Sequence, residues 1–421
     1  MNYFIETLGC QMNACDSDTL SSILLTYGAL RVYNLLDADV VILNTCSVRT
    51  QSEQKAFSYI GRIEKFKRLN SNFKIIVIGC MAERLGYKIK KRFSSVDLVM
   101  GLNDINNIAL KIINLCSTSD DDNSVKKIFD SKSSVISRYM IIIRGCNNYC
   151  SYCVVPFVRG IEKSIEYQLL IDKCYFMVEN GVREITLLGQ NVNSYRYKGI
   201  NFSLLLKKIA SIKNLSRIRF MTNHPKDLDD ELINVVASEQ KICHHIHLPM
   251  QSASNRILEV MNRKYTYEDY LNLVTKLRTV IPNVSITSDI IVGFPGETEK
   301  DFNDTLNAVK KIRFDGLYVF KYSPRPNTIA YKIPDIVTLE EKKRRHLIIL
   351  NESNKISVEI VSKMIGSVQR VLAEKINDGI VESKTVGGRK VFFKGNKNHI
   401  GNTFNVIIKA VKINSLLGDI I

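Results

Sequence analysis

Short, unbroken apolar runs separated by charged, helix-like stretches pattern the first quarter of the chain. Tyr3-Phe4-Ile5, Val40-Val41-Ile42-Leu43 and Ile75-Ile76-Val77-Ile78 are such runs, and Glu53 to Arg68 is one of the charged stretches between them. Apolar strands that alternate with helices predict a parallel sheet covered on both faces. From Tyr139 onward the alternation resumes, with strands predicted over 139–143, 184–188, 217–220, 243–248, 285–291 and 317–321. Helical patterns fill the gaps, for instance Ile165 to Glu179 and Glu299 to Ile312. Repeated βα units predict an α/β sheet closing toward a barrel, with its chemistry at the C-terminal strand ends. Six repeats make an incomplete (β/α)6 barrel whose open side suits a large substrate. Leu339 to Met364 reads as one long helix, and Glu340-Glu-Lys-Lys-Arg-Arg-His as its solvated face rather than a binding patch. After Gly366 the period shortens. Runs over 368–373, 380–384, 390–394 and 404–411 are broken by Asn377-Asp-Gly, Gly387-Gly388, Lys394-Gly-Asn and Gly401-Asn402, which predicts a small antiparallel β-barrel. Ser117 to Ser134, with Asp120-Asp-Asp-Asn-Ser, reads as a linker. The expected division is therefore 1–116, a linker 117–134, 135–364 and 365–421.

Cysteine placement adds chemistry to this outline. Each of the three N-terminal apolar runs leads into a cysteine: Thr7-Leu-Gly-Cys10, Asn44-Thr-Cys46 and Gly79-Cys80. In a parallel sheet the loops after the strands share one edge, so Cys10, Cys46 and Cys80 are expected to meet. A second triplet, Cys146, Cys150 and Cys153, follows the strand at Tyr139 to Ile143 with the spacing C-x3-C-x2-C. Thiolates are the ligands of iron–sulfur clusters, and three of them on a four-iron cubane leave one iron open to a small molecule. A loop of Gly145, Asn147 and Asn148 offers little core in which to bury ordinary cysteines. For the first triplet zinc is the competing ligand, weakened because no histidine lies in that region to complete four donors.

The motifs around both triplets resemble those of the methylthiotransferase family of radical S-adenosylmethionine (SAM) enzymes. They are Thr7-Leu-Gly-Cys-Gln-Met-Asn, Asn44-Thr-Cys-Ser-Val-Arg, Ile78-Gly-Cys-Met-Ala, Arg144-Gly-Cys-Asn-Asn-Tyr-Cys-Ser-Tyr-Cys, Leu188-Gly-Gln-Asn-Val-Asn, His247-Leu-Pro-Met-Gln-Ser and Asp289-Ile-Ile-Val-Gly-Phe-Pro-Gly-Glu-Thr. Gln11-Met12-Asn13 and Arg144 match the branch that modifies tRNA, rather than those acting on a ribosomal-protein aspartate or on threonylcarbamoyl-adenosine. The resemblance implies two [4Fe-4S] clusters, one on Cys10, Cys46 and Cys80 and one on Cys146, Cys150 and Cys153. It further implies SAM on the open iron of the second, Tyr152 near the adenine of SAM, and Gly189, Gln190 and Asn191 near its amino group. The implied reaction places a methylthio group on C2 of an N6-dimethylallyladenosine beside the anticodon. The C-terminal barrel resembles the RNA-binding TRAM domain. A low-potential electron donor is implied, and a monomer is expected. The reading from a different class is a non-catalytic iron–sulfur RNA-binding protein.

Composition narrows the setting. A chain of 421 residues with 45% hydrophobic residues is long enough for two or three domains. No apolar stretch is long enough to span a membrane, and the chain enters a strand-like run at once, without the basic flank of a signal peptide. Ten cysteines in that context point to a reducing cytoplasm. The net charge of +17 is uneven: residues 1–125 carry +1, residues 126–364 carry +11 and residues 365–421 carry +5. A basic bias in the last two regions fits a polyanion there, though a generally basic surface has the same signature.

Other residues weigh less. Cys243 and His247 stand about 13 Å apart on a strand, too far to share one ion, so Cys243, His245 and His247 are expected to line the barrel mouth, or else to be hydrogen-bonded core groups. Arg159 has two readings, an anchor for a carboxylate or cluster loop and a scaffold salt bridge. Cys15, Cys116 and Cys174 are expected to be buried. Ala253, Asn327 and Asn223 depart from the family pattern, where Gly, Gly and Ser are usual, and Asn at 327 preserves access to positive φ.

Overall fold

The computed structural model describes residues 1–47, 50–70, 72–116, 135–412 and 415–421. The expected linker at 117–134 lies outside the described residues. The chain forms two compact units. The first holds the described residues up to Cys116 with Arg144–Asn147 and Cys153–Glu162, and the second holds residues 135–143, Asn148–Tyr152 and Lys163–Ile421.

In the first unit, strands Leu30–Arg31, Asn2–Leu8, Val40–Thr45, Lys74–Gly79 and Leu98–Met100 lie side by side in that order, all parallel. Both faces are covered, which is why the central strand Val40–Thr45 is buried throughout. Successive residues take opposite sides. Val41, Leu43, Ile75 and Val77 pack with Ile60 and Ile63 of helix Thr50–Leu69 and Met81 of helix Cys80–Arg92. Val40, Ile42, Ile76 and Ile78 pack with Leu20 and Leu24 of helix Gln11–Thr26 and Ile108 and Ile112 of helix Ile105–Cys116. Each such buried side chain contributes roughly 1.5–3 kcal/mol, so the alternating runs that predicted the sheet also hold it together.

The second unit contains six principal parallel strands. Ser137–Ile141, Glu184–Leu188 and Arg217–Phe220 form one sheet, and His245–His247, Ser285–Val292 and Gly316–Lys321 another. Only isolated bridges continue the ladder around them, Ile218 to Ile242 among them. Among the described residues Ser137–Ile141 and Gly316–Lys321 do not pair, so the barrel is incomplete. The strand expected over 243–248 is confined to His245–His247. The long helix runs Leu339–Ser362. The C-terminal barrel is closed by five strands, one of which, Ser415–Ile420, the sequence pattern did not predict. Its pairing with Lys390–Lys394 is parallel, the single parallel ladder among the described strands of an otherwise antiparallel barrel.

Buried arginines join that barrel to the strand Arg217–Phe220. Arg217 donates to the carbonyls of Lys384 and, at 2.9 Å, of Arg370. Arg219 donates to Val386 and Thr385 carbonyls at 2.8 and 2.6 Å and pairs with Glu184 at 2.9 Å. Such groups are buried only because each N–H finds an acceptor.

Candidate functional site: two cysteine-bearing loop systems

The register of the first sheet sets Thr45 opposite both Leu8 and Gly79, so Cys10, Cys46 and Cys80 emerge together at the C-terminal edge. Cys10 precedes helix Gln11–Thr26, and Cys80 is the first residue of its own helix. The Cys46 amide donates to the Leu8 carbonyl at 3.1 Å. Buried amides lace this edge. Asn13 Oδ1 lies 3.2 Å from Cys10 Sγ, and Asn13 Nδ2 donates to Asn44 Oδ1 at 2.7 Å and to the Thr45 carbonyl at 3.2 Å. Asn44 Nδ2 returns bonds to the Asn13 carbonyl at 2.9 Å and to Ser17 Oγ at 3.0 Å. Gly79 has φ 107°, and a Cβ there would lie 2.2 Å from the Thr45 carbonyl oxygen.

The electrostatics favour thiolate at Cys10. The Cys46 thiol hydrogen-bonds to Cys10 and, with the Arg159 guanidinium, brings the Cys10 thiol down to about 6 against the packing around it. Burial pushes the Cys80 thiol up, opposed by Arg159. Arg159 Nε donates to Cys80 Sγ at 3.3 Å and Nη1 to the fully buried Asp16 at 3.2 Å. Arg144 Nη2 takes the other Asp16 oxygen at 2.7 Å. The salt-bridge reading for Arg159 holds, and the same side chain also touches Cys80. Asp16 was missed by sequence reasoning. Its one signal was an acidic residue on the helix face that follows Cys10.

Of the second triplet, Cys146 and Cys153 fall in the first unit and Cys150 in the second. Cys146 N donates to the Gly160 carbonyl at 3.3 Å, and Val155 N to Cys153 Sγ at 3.5 Å. Gly145 has φ 71°, and a Cβ there would lie 2.0 Å from the Ile161 carbonyl oxygen. In the second unit, Arg263 is buried; Nη1 donates to Cys150 Sγ at 3.3 Å, Nη2 to the Pro249 carbonyl at 3.0 Å and Nε to Tyr265 Oη at 3.0 Å. Arg263 was also missed. In Met261-Asn-Arg-Lys-Tyr265 it reads as one more solvated cation.

The C-terminal strand ends of the second unit carry the remaining motifs. Tyr152 meets Phe294 edge to face, their centroids 6.5 Å apart, which unites the aromatic residue of the cysteine run with Gly293-Phe-Pro-Gly-Glu297. Gly189 admits no side chain, since a Cβ would lie 2.2 Å from Ile143. Asn191 Nδ2 donates to Asp227 at 2.7 Å. Its Oδ1, with Asn223 Oδ1 and Gln251 Oε1, is a buried acceptor with no partner among the described residues. Burial, reinforced by Arg263 and Lys226, pushes His224 down to about 2, so its ring is neutral. Nδ1 accepts from Lys226 N at 3.3 Å, which leaves a proton on Nε2, another buried group without a partner. Orphaned polar atoms of this kind call for a ligand, and unpaired carbonyl-type acceptors suit an ammonium group.

His245 and His247 both bond to Thr287 Oγ1, at 3.1 and 3.0 Å, and His247 Nε2 lies 3.5 Å from Asp289. Cys243 is buried in the field of Arg219 and Glu184. Cys15 and Cys174 are buried, the latter thiol pushed to about 12 by that burial, whereas Cys116 is only half-buried. Asn327 does hold positive φ, at 73°. Ala253 N bonds to Thr305 Oγ1 at 3.1 Å, and Asn223 Nδ2 to the His247 carbonyl at 3.1 Å. Among the described residues no three His, Cys, Asp or Glu side chains surround a single metal-ion position. A cubane makes a different demand, since it offers separate iron corners to separate thiolates.

Comparison with known proteins bears on this arrangement. Residues 2–101 match the uncharacterized protein family UPF0004, residues 140–309 the radical SAM superfamily and residues 362–421 the TRAM domain. A tRNA-2-methylthio-N(6)-dimethylallyladenosine synthase of Endomicrobium trichonymphae is 64% identical over 421 residues, covering 100% of both chains. The chain belongs to this synthase family. A relative of the same name from Thermodesulfovibrio yellowstonii is 43% identical, over 99% of this chain and 98% of its own. Among solved structures, a radical SAM methyltransferase, TsrM, from Kitasatospora setae shares the fold with a TM-score of 0.57 at 14% identity, over 90% of this chain and 80% of that one. No helix among the described residues is long and apolar enough to cross a membrane.

Proposed function

We propose that this chain is a radical SAM methylthiotransferase that modifies C2 of N6-dimethylallyladenosine beside the anticodon of tRNA. The observation that carries the reading is the gathering of Cys10, Cys46 and Cys80 on one sheet edge, in a chain that also bears the C-x3-C-x2-C run. Cys10, Cys46 and Cys80 hold one [4Fe-4S] cluster; Cys146, Cys150 and Cys153 hold the other. When bound, the clusters and SAM supply the electron, the 5′-deoxyadenosyl radical and the methylthio group.

The protein's own share is positioning. Thiolate character at Cys10 prepares the first edge for iron. Gly189 packs its turn against Ile143, and the orphan acceptors of Asn191, Asn223 and Gln251 receive the amino group of SAM. Gln190 stands between Gly189 and Asn191 on the same turn, and Tyr152, braced by Phe294, faces the adenine. The C-terminal barrel leaves Lys375, Lys390, Lys394, Lys397, Lys409 and Lys412 exposed, which suits the phosphates of tRNA. A loop base is already unstacked in part, so presenting it costs less than extracting one from a duplex. The domains of this reading are 1–116, 135–364 and 365–421, with 117–134 as the linker between the first two. The protein works as a cytoplasmic monomer fed by a low-potential electron donor.

The test is anaerobic reconstitution with SAM, dithionite and tRNA carrying the dimethylallyl group, followed by mass analysis of nucleosides and of 5′-deoxyadenosine. Wild type yields 2-methylthio-N6-dimethylallyladenosine. Cys146→Ala loses both products, and the triple alanine variant of Cys10, Cys46 and Cys80 keeps SAM cleavage but loses the thiomethylated base. Thiomethylation of threonylcarbamoyl-adenosine or of a ribosomal protein instead would overturn the substrate. Intact tRNA binding without SAM cleavage would overturn the enzyme.

A further inference from the structure

Arg159 carries more bonding capacity than the protein uses. It is the last residue of the short helix Val155–Arg159, and its side chain is 5% exposed. Two of its donors are committed, Nε to Cys80 and Nη1 to Asp16. Nη2 is buried with no acceptor among the described residues. An unmet N–H on a buried guanidinium is costly, so its persistence beside a cysteine edge points to an acceptor that arrives with a ligand. The guanidinium is a planar fork whose donors diverge by fixed angles. With Nε committed to Cys80 Sγ and Nη1 to Asp16, the direction of Nη2 is set as well. Asp16 itself is fully buried and shared with Arg144, which clamps the fork.

Resting on the cluster reading above, we infer that Arg159 is a positioning residue for the cluster of Cys10, Cys46 and Cys80. Its Nη2 donates to an inorganic sulfide of that cluster while Nε donates to the Cys80 thiolate. Donors to cluster sulfur and nearby positive charge favour the more negative, reduced state. Arg159 therefore makes this cluster easier to reduce, and Asp16 partly cancels it. The arrangement has an adjustable sign: one guanidinium pulls the potential up and one carboxylate pulls it down, with no water between them needed.

The experiment uses the full chain with Cys146, Cys150 and Cys153 replaced by alanine, reconstituted and titrated with dithionite under electron paramagnetic resonance. About four irons per chain establish that the cluster reading holds; their absence in this parent protein would sink that reading rather than the role of Arg159. Arg159→Gln is then expected to shift the midpoint to more negative values by at least a tenfold change in the reduction equilibrium, about 59 mV for one electron. Asp16→Asn is expected to shift it the other way, and Arg159→Lys, which keeps the charge, less than half as far as Gln. A structural disturbance would move both the Gln and the Asn variants in one direction, and that result overturns the inference, as does an unchanged midpoint in fully loaded Arg159→Gln. Should Arg159→Gln bind no iron, the opposite shifts of the Lys and Asn variants decide it in the same way.

Discussion

The two cysteine systems solve one problem by opposite routes. In the first unit the cysteines follow three strands and stand 36 and 34 residues apart in sequence, and the sheet brings their positions to one edge. In the second system the cysteines lie within eight residues, and the loop has to be shaped rather than assembled. The edge carrying Cys10, Cys46 and Cys80 combines uncharged groups, Asn13, Asn44, Ser17 and Thr45, with ion pairs of Asp16 to Arg144 and Arg159 and of Glu53 to Arg84, the last bonded to Ser47. The strand ends of the second unit hold ion pairs of their own. Arg345 binds Glu297 at 2.7 Å, and Glu297 accepts from Gly293 N at 2.6 Å. Asp301 takes Ser254 Oγ at 2.5 Å together with Arg256 and Thr298. An assembled site depends on register; a shaped loop depends on the charges that pin it.

Register is the easiest of these to break. Gly79→Ala places a methyl group 2.2 Å from the Thr45 carbonyl oxygen at φ 107°, and strain plus overlap amount to about 3 kcal/mol or more. The neighbouring ladder must shift, and Cys80 with it. Denaturant unfolding and iron content check this: the first-unit cluster should be lost while the C-x3-C-x2-C cluster keeps about four irons. Wild-type stability with full iron would show that the edge does not depend on that register.

These contrasts explain what was legible in the sequence. Parallel strands ending in cysteines could be read because their signals are local: apolar runs, then Gly-Cys or Thr-Cys. Their meeting followed from topology, and the structure agrees. The helix Glu299–Ile312 was read to its ends because Thr298 and Asp301 form a capping box around a strongly amphipathic run. Strand Ser415–Ile420 was not, since Gly418 interrupts its apolar pattern, although it pairs both with its neighbour Thr403–Lys412 and with Lys390–Lys394. Arg263 and Asp16 were invisible for a different reason. A charged side chain in a polar run is ordinarily solvated, and only tertiary contacts show that these two are buried.

Arg263 tests whether the shaped loop is pinned as the bonding implies. Arg263→Gln removes donors to Cys150, Pro249 and Tyr265 and leaves the Pro249 carbonyl only the Tyr265 hydroxyl, at a cost of about 2 kcal/mol. The expected outcome mirrors that of Gly79→Ala: iron is lost from the second cluster on gel filtration while the first keeps its own. Equal loss from both, or from neither, would remove the distinction between the two systems.

The smallest effect lies in the acid response of the ion-paired strand ends. Burial opposes ionisation of Asp301, but hydrogen bonds from Ser254, Thr298 and Arg256 outweigh it and hold the carboxyl at about 2, below its ordinary 3.8. A depressed carboxyl contributes stability that is fully present above its unfolded value and is lost as pH falls through the folded one. Asp301→Asn should therefore cost about 1 kcal/mol near neutrality, the scale of a lost cap. The gap from wild type should narrow as pH drops from about 5 toward 2. Urea midpoints of the apo chain across that range make the measurement. A gap that stays constant with pH would mean that Asp301 acts through shape alone, and that charge does not pin the loop from Gln251 to Arg256.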